Sequence, residues 1–271
     1  MTIHAFGVTD KGRVRPHNED ALLVAPDAGV FAVADGMGGH AAGEAASRIA
    51  IEAVDELLAH ESRLPDDVPA RLERIIQEAN RRIAERIQKH PECAGMGTTL
   101  VLAAMSPSTV WLAHVGDSRA YRLRQGTSRQ LTSDHSFVNE LVRLGMLTRE
   151  QASRDPRRNV VTRALGSDPA VTPDVIEEPC EPGDVLLLCS DGLNTMLPDE
   201  RILQAVADGS DLETACRRLV ADANESGGED NITVVLVRPE ARTDGAAAPD
   251  RSGQTSESGA AASRDGDPPP R

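Results

Sequence analysis

The chain has 271 residues, enough for one sizeable core, and its 43 acidic against 29 basic residues leave a net charge of −14. Such a surface repels nucleic acid and anionic membranes, and aromatics at 2% offer no stacking platform for single strands. No stretch reaches the roughly 20 apolar residues of a membrane span, and the amino terminus lacks a basic segment leading into an apolar one. A cytoplasmic protein with no nucleic-acid or membrane partner is expected.

Glu19 and Asp20 stand before a short apolar strand, 21–24. The run Val30-Phe31-Ala32-Val33-Ala34 predicts a buried strand that ends on Asp35 and opens into Gly36-Met37-Gly38-Gly39, glycines that let backbone approach whatever the carboxylate holds. A helix over about 41–59 would bury Ala42, Ala46, Ile49, Ala53 and Leu57. A second, about 68–89, lines up Val68, Leu72, Ile75, Ile76, Ala79, Ile83 and Ile87, with Asp67 as cap and a proline at 69 in its first turn. Its other face mixes arginine and glutamate from Arg71 to Glu85, a solvated surface and not a basic binding patch.

Strands near 97–105, 108–116 and 118–124 follow, with Gln125-Gly126 as a hairpin turn; the middle strand runs into Asp117. A mostly polar helical region, about 135–165, is interrupted at Gly145 and Pro156. Strands at about 174–178 and 184–190 come next, the latter running into Asp191-Gly192. Of two further helices, the one at about 212–224 is capped by Asp211 and buries Leu212, Ala215, Cys216, Leu219 and Val220. Asp230-Asn231 introduce a closing strand, 232–237. Strands followed by runs of helix indicate an α+β class, antiparallel sheet covered by helices. The four cysteines show no zinc-ribbon pairing, and Cys189 and Cys216 read as small core hydrophobes. From about 240 the chain turns to Ala, Gly, Ser, Asp and Pro without apolar periodicity, so 1–239 forms the folded domain and 240–271 a disordered tail.

The acidic residues share one placement. Asp35, Asp117 and Asp191 follow apolar strands, while Glu19, Asp20 and Asp230 precede them. In antiparallel neighbours the end of one strand lies beside the start of the next, so these side chains can meet at one sheet edge. Uncompensated, a close pair repels by about 4 kcal/mol at 4 Å and an effective dielectric near 20. A single Asp-Gly is an ordinary turn. Repetition at so many strand edges favours a cluster that binds hard divalent cations through oxygen, magnesium or manganese.

Six motifs then occur in one order: Arg15-Pro16-His17-Asn18-Glu19-Asp20, Asp35-Gly36-Met37-Gly38-Gly39-His40, Gly95-Met96-Gly97-Thr98-Thr99, Gly116-Asp117-Ser118-Arg119, Ser190-Asp191-Gly192 and Asp230-Asn231. Over about residues 3–238 the chain resembles the metal-dependent serine/threonine protein phosphatases of the type 2C (PPM) family, in their bacterial form. The resemblance implies two packed antiparallel sheets flanked by helix pairs, with the metal site at one edge of the sandwich. It implies that Asp35 bridges two catalytic ions, Mn2+ or Mg2+, that the Gly36 carbonyl holds one, and that Asp191 and Asp230 complete the other. Glu19 and Asp20 would act through bound waters, Asp117 with Asp191 would hold a weaker third ion, and Arg15 would grip the substrate phosphate. A hydroxide shared by two ions roughly 3.5–4 Å apart would attack phosphorus directly, without a covalent phosphoenzyme.

Met37 stands where many eukaryotic relatives have a histidine suspected as general acid; His17, His40 and His135 are read as structural. Residues 133–166 correspond to the flap over the cleft, whose Arg154, Arg157, Arg158 and Arg163 either meet acidic phosphopeptides or compensate the acidic chain. The implied partners are phosphorylated proteins and their serine/threonine kinases, and a monomer is expected. Alternatives are a phosphatase dedicated to one regulatory partner, or an inactive member that only binds phosphoproteins. The latter expects broken metal motifs, yet Asp35, Asp191, Asp230 and Arg15 are all present.

Overall fold

The computed structural model describes residues 2–38, 41–59, 67–207 and 210–240. Among them, two antiparallel sheets pack face to face. One runs β1 (Thr2–Asp10), β11 (Ile232–Glu240), β10 (Val185–Cys189), β7 (Arg119–Arg124), β8 (Thr127–Gln130). The other runs β2 (Asp20–Ala25), β3 (Val30–Met37), β5 (Leu100–Met105), β6 (Thr109–Val115), β9 (Asp174–Pro179), with β4 (Gly97–Thr98) paired to the end of β3. The β7–β8 hairpin turns at Gln125-Gly126, both with positive φ, 49° and 73°, as its two-residue loop requires.

Alternation of side chains explains the layers. On β3, Val30, Ala32 and Ala34 face α1 (Ala41–Val54) and α2 (Val68–Lys89), while Phe31 and Val33 face the opposite sheet. On β11, Ile232, Val234 and Leu236 face α7 (Leu212–Glu225), while Val235 and Val237 point inward. With both faces covered, the central strands read as continuous apolar runs. The result is the expected α+β sandwich, a helix pair outside each sheet. The caps of α2 and α7 are as expected: Asp67 accepts from the Ala70 amide at 3.1 Å and Asp211 from the Thr214 amide at 2.9 Å.

Four expectations need correction. The buried stripe of α1 runs through Ala46, Ala50, Ala53 and Val54, with Ala42, Ile49 and Leu57 only half-buried. A π turn over Asp55–Ala59 adds a residue, so Leu58 takes the buried place expected of Leu57. The region 135–165 holds only two short helices, α3 (Phe137–Arg143) and α4 (Arg149–Ser153); Gly145, at φ 71°, ends the first, and Pro156 stops the second. β1 goes unread because it is half-buried on both faces, Ile3 and Ala5 on one and Phe6 and Val8 on the other, which erases the period. Asp20, expected before its strand, is the first residue of β2, and β3 does not end on Asp35 but continues to Met37. The expected tail, past Glu240, and His40 lie outside the described residues.

Candidate metal centre

The antiparallel register of β2 and β3 places Asp20 opposite Asp35. Strand pairing alone therefore sets two carboxylates side by side. Behind Asp35, Thr98 Oγ1 donates to its carbonyl at 2.8 Å, the Thr99 amide donates to the same oxygen at 2.9 Å, and its own amide donates to Thr99 Oγ1 at 3.0 Å. Gly36 passes so close to its neighbours that a Cβ would stand 2.2 Å from the Gly43 carbonyl oxygen and 2.4 Å from that of Glu19. No other residue fits there.

The other sheet, and the connection that leads into it, bring the remaining carboxylates. Asp117 sits between β6 and β7, Asp191 opens α5 (Asp191–Asn194) at the end of β10, and Asp230 precedes β11. A Cβ on Gly192 would lie 2.0 Å from the Asn231 carbonyl oxygen, so α5 is clamped against the loop of Asp230. Ser190 Oγ and Thr233 Oγ1 donate to Asp20 Oδ2 at 2.8 and 2.6 Å, joining the two sheets through one carboxylate. The Asn231 side chain accepts from the Glu19 amide at 2.8 Å and donates to the Lys11 and His17 carbonyls, both at 2.9 Å. Arg15, half-exposed at the rim, donates from Nη2 to Asp230 Oδ2 at 2.6 Å.

The cluster is electrostatically loaded. Burial raises the Asp20 carboxyl to about 7, against the opposing pull of its bonds from Thr233 and Ser190. Burial likewise raises Asp117 to about 8 and Asp191 to about 6, with nearby carboxylates pushing the same way. Asp35 is held well above the usual carboxylate range by burial and then by Asp20, Asp191, Asp117 and Asp230, and it shares a hydrogen bond with Asp191. Asp20 Oδ1 is buried without a hydrogen-bond partner. A buried, all-oxygen, like-charged donor set with an orphaned carboxylate oxygen fits a hard divalent cation.

The structure thus brings together Asp20, Asp35, Asp117, Asp191 and Asp230, with Arg15 beside them. Glu19 leans on the first turn of α1, its Oε1 3.0 Å from where a Cβ of Gly43 would be. Of the supporting residues, Thr98, Thr99, Ser190 and Asn231 are visible in the sequence only as members of motifs with no role attached, and Thr233 looks like an ordinary polar residue. Their one signal is adjacency to a carboxylate or to a strand end. Arg119 was visible only as part of a motif. It is half-buried and grips Asp134 with three hydrogen bonds of 2.7–3.1 Å, and its charge opposes the rise at Asp117 and Asp191.

Asp117 and Asp191 also border a polar cleft of about 690 Å³ between α3–α4 and α5, lined by Arg149, Arg158 and Asn194 among others. Most of the flap arginines are occupied elsewhere. Arg154 pairs with Glu150 at 3.1 Å, Arg157 with Asp155 at 2.8 Å and over the Phe137 ring, and Arg163 with Asp174 at 2.8 Å.

Residues 13–230 match the family model described as protein phosphatase 2C. The chain belongs to the protein phosphatase 2C family. It is 41% identical over 246 residues to serine/threonine phosphatase stp of Listeria innocua, covering 87% of this chain and 95% of that protein. The crystal structure of the Mycobacterium tuberculosis serine/threonine phosphatase PstP/Ppp superposes with a TM-score of 0.84 at 38% identity, covering 89% of this chain and 100% of that one. The catalytic domain of PstP in complex with two manganese ions gives 0.80 at 37% identity, covering 88% and 98%. Fold, family and enzyme class, a protein-serine/threonine phosphatase, are as the sequence predicts. Among the described residues no helix is long and apolar enough to cross a membrane.

Proposed function

We propose that this phosphatase hydrolyses phosphoserine and phosphothreonine in proteins, opposing serine/threonine kinases, with two manganese or magnesium ions held by Asp35, the Gly36 carbonyl, Asp191 and Asp230. The observation that carries this reading is the cluster of buried and half-buried aspartates gathered from both sheets, with Arg15 at its rim. Bound there, the ions supply the Lewis acidity that makes water nucleophilic near neutral pH. The chain's own groups do the rest. Asp20, fixed through Oδ2 by Ser190 and Thr233, keeps Oδ1 free to orient water, and Glu19 serves beside it as an outer ligand. Asp117 with Asp191 would take a third, weaker ion. Arg15 would exchange Asp230 for the substrate phosphate, holding two of its oxygens. We place the enzyme in the cytoplasm as a monomer, among phosphorylated proteins and their kinases.

The test is phosphate release from a phosphothreonyl peptide with manganese, then with EDTA. Release that depends on metal and disappears in Asp35→Ala and Asp191→Ala is expected. Turnover that survives either substitution would overturn the site.

A further inference from the structure

Next to Gly116, the residue before Asp117, lies a cluster of His114, His135, Asp174 and Arg163. The His114 and His135 rings stack at 4.6 Å with 14° between their planes, and ligand atoms of the two rings and Asp174 fall within 4.8 Å of one another. That looks like a metal trio, but the geometry opposes it. Ring lone pairs lie in the ring plane, so nearly parallel stacked rings cannot aim at one ion. The cation position is also filled: Arg163 Nη1 stands 3.0 Å from His135 Nε2 and 2.8 Å from Asp174 Oδ1, and donates to the Thr172 carbonyl at 2.9 Å.

What His135 does hold is Gly116. The His135 amide donates to the Gly116 carbonyl at 3.0 Å, and the Gly116 amide donates to His135 Nδ1, also at 3.0 Å. The accepting Nδ1 assigns the ring proton to Nε2, which faces Asp174 Oδ1 at 3.4 Å, so Arg163 Nη1, itself only a donor, lies beside that nitrogen without a hydrogen bond to it and binds through Asp174 and the Thr172 carbonyl. Gly116 sits at φ 104°, where a Cβ would come within 2.5 Å of Thr99 Cγ2, and Asp117 is the next residue. On its other side, the His135 carbonyl accepts from the Thr162 amide at 2.8 Å, and the Phe137 amide donates to the Val160 carbonyl at 2.8 Å. The flap therefore leaves and returns at His135, and the imidazole is the joint between the flap base and the loop that carries Asp117.

We infer that His135 is a positioning residue that couples the flap base to Asp117 by holding the Gly116 amide. The inference rests on the reading that Asp117 and Asp191 hold a third ion. Two variants separate the tether from general packing. His135→Asn keeps an acceptor at the Nδ1 position, whereas His135→Leu removes it; both lose the stacked ring and the Asp174 contact. Amide exchange is measured at Gly116 in the metal-free protein, together with calorimetric manganese titration.

In His135→Leu, Gly116 exchange should rise about tenfold, the factor worth one net hydrogen bond, and the weakest manganese site should lose about the same factor. In His135→Asn both should stay near the parent values, and in both variants the two tight sites should be unchanged. If the leucine variant does not fold, His135→Gln replaces it, because its amide lies one bond too far out to accept from Gly116. Equal behaviour of the two variants, or equal weakening of every ion site, would overturn the inference. A parent protein that binds no third ion would instead refute the role given to Asp117, while the exchange data still decide whether His135 holds Gly116.

Discussion

Replacing Asp20 with asparagine measures what the crowding of carboxylates costs the fold. Asparagine keeps the shape, and its Oδ1 can accept the bonds now donated by Ser190 and Thr233. What disappears is a buried charge. In the fold Asp20 titrates at about 7 against an ordinary 3.8, chiefly because it is buried. The folded protein thus binds this proton more tightly than the unfolded chain does. The stability it contributes is complete below the ordinary value and is lost as pH rises through about 7. Between pH 5 and 8 the variant should therefore gain on the parent by about 2–3 kcal/mol. The assay is urea unfolding of the metal-free proteins at both pH values. Saturating manganese should erase the gain, because a bound cation offsets the same charge in the parent. A variant less stable than the parent at pH 8 without metal, or a difference independent of pH, would refute the reasoning.

The close approach at Gly36 makes Gly36→Ala destabilising by about 3 kcal/mol or more, visible as a lowered thermal midpoint in both metal-free and metal-loaded protein. Arg119→Met takes its guanidinium partner from the half-buried Asp134, leaving only Gln130 Nε2 on the carboxylate, and should cost about 1.5–3 kcal/mol in denaturant unfolding, while Arg119→Met with Asp134→Asn should cost clearly less than the two single changes added together. Arg158, which lines the cleft, should be the flap arginine that matters for substrate. Arg158→Ala should lower phosphopeptide turnover severalfold and spare a small aryl phosphate, whereas Arg157→Ala, already paired within the flap, should change neither ratio; equal loss on both substrates in Arg158→Ala would remove it from substrate recognition.

The residues that carry chemistry were easier to read than the residues that place them. Asp35 and Asp191 stand out because a carboxylate at the end of a buried apolar run is costly without a partner. α2 was legible down to its cap because seven apolar positions share one helical face. The facing of Asp20 and Asp35 was not legible, since register depends on which strands pair and on the turn between them. Nor was the use of Arg154, Arg157 and Arg163, whose acidic partners are local for the first two but come from β9 for the third. A string of arginines in sequence is a patch only if nothing nearby neutralises it.

The same contacts explain why the fold tolerates so much like charge in one place. Each strand-borne carboxylate is held from behind by groups that are themselves fixed. Thr98 and Thr99 fasten the backbone of Asp35, Ser190 and Thr233 fasten the side chain of Asp20, and Asn231 ties Glu19 to two loop carbonyls. None of these bonds uses Asp20 Oδ1, which stays orphaned. Relaxation that would separate the carboxylates has to break bonds between the two sheets, so the repulsion persists in the folded state. A divalent cation then finds its oxygen donors already gathered, and relieving their repulsion adds to its affinity. Ser190→Ala or Thr233→Val removes a bond that stabilises the Asp20 carboxylate, so each should lower the stability of the metal-free protein in urea unfolding and weaken manganese binding in the same variant, and a loss of stability with metal affinity unchanged would refute this role for Asp20.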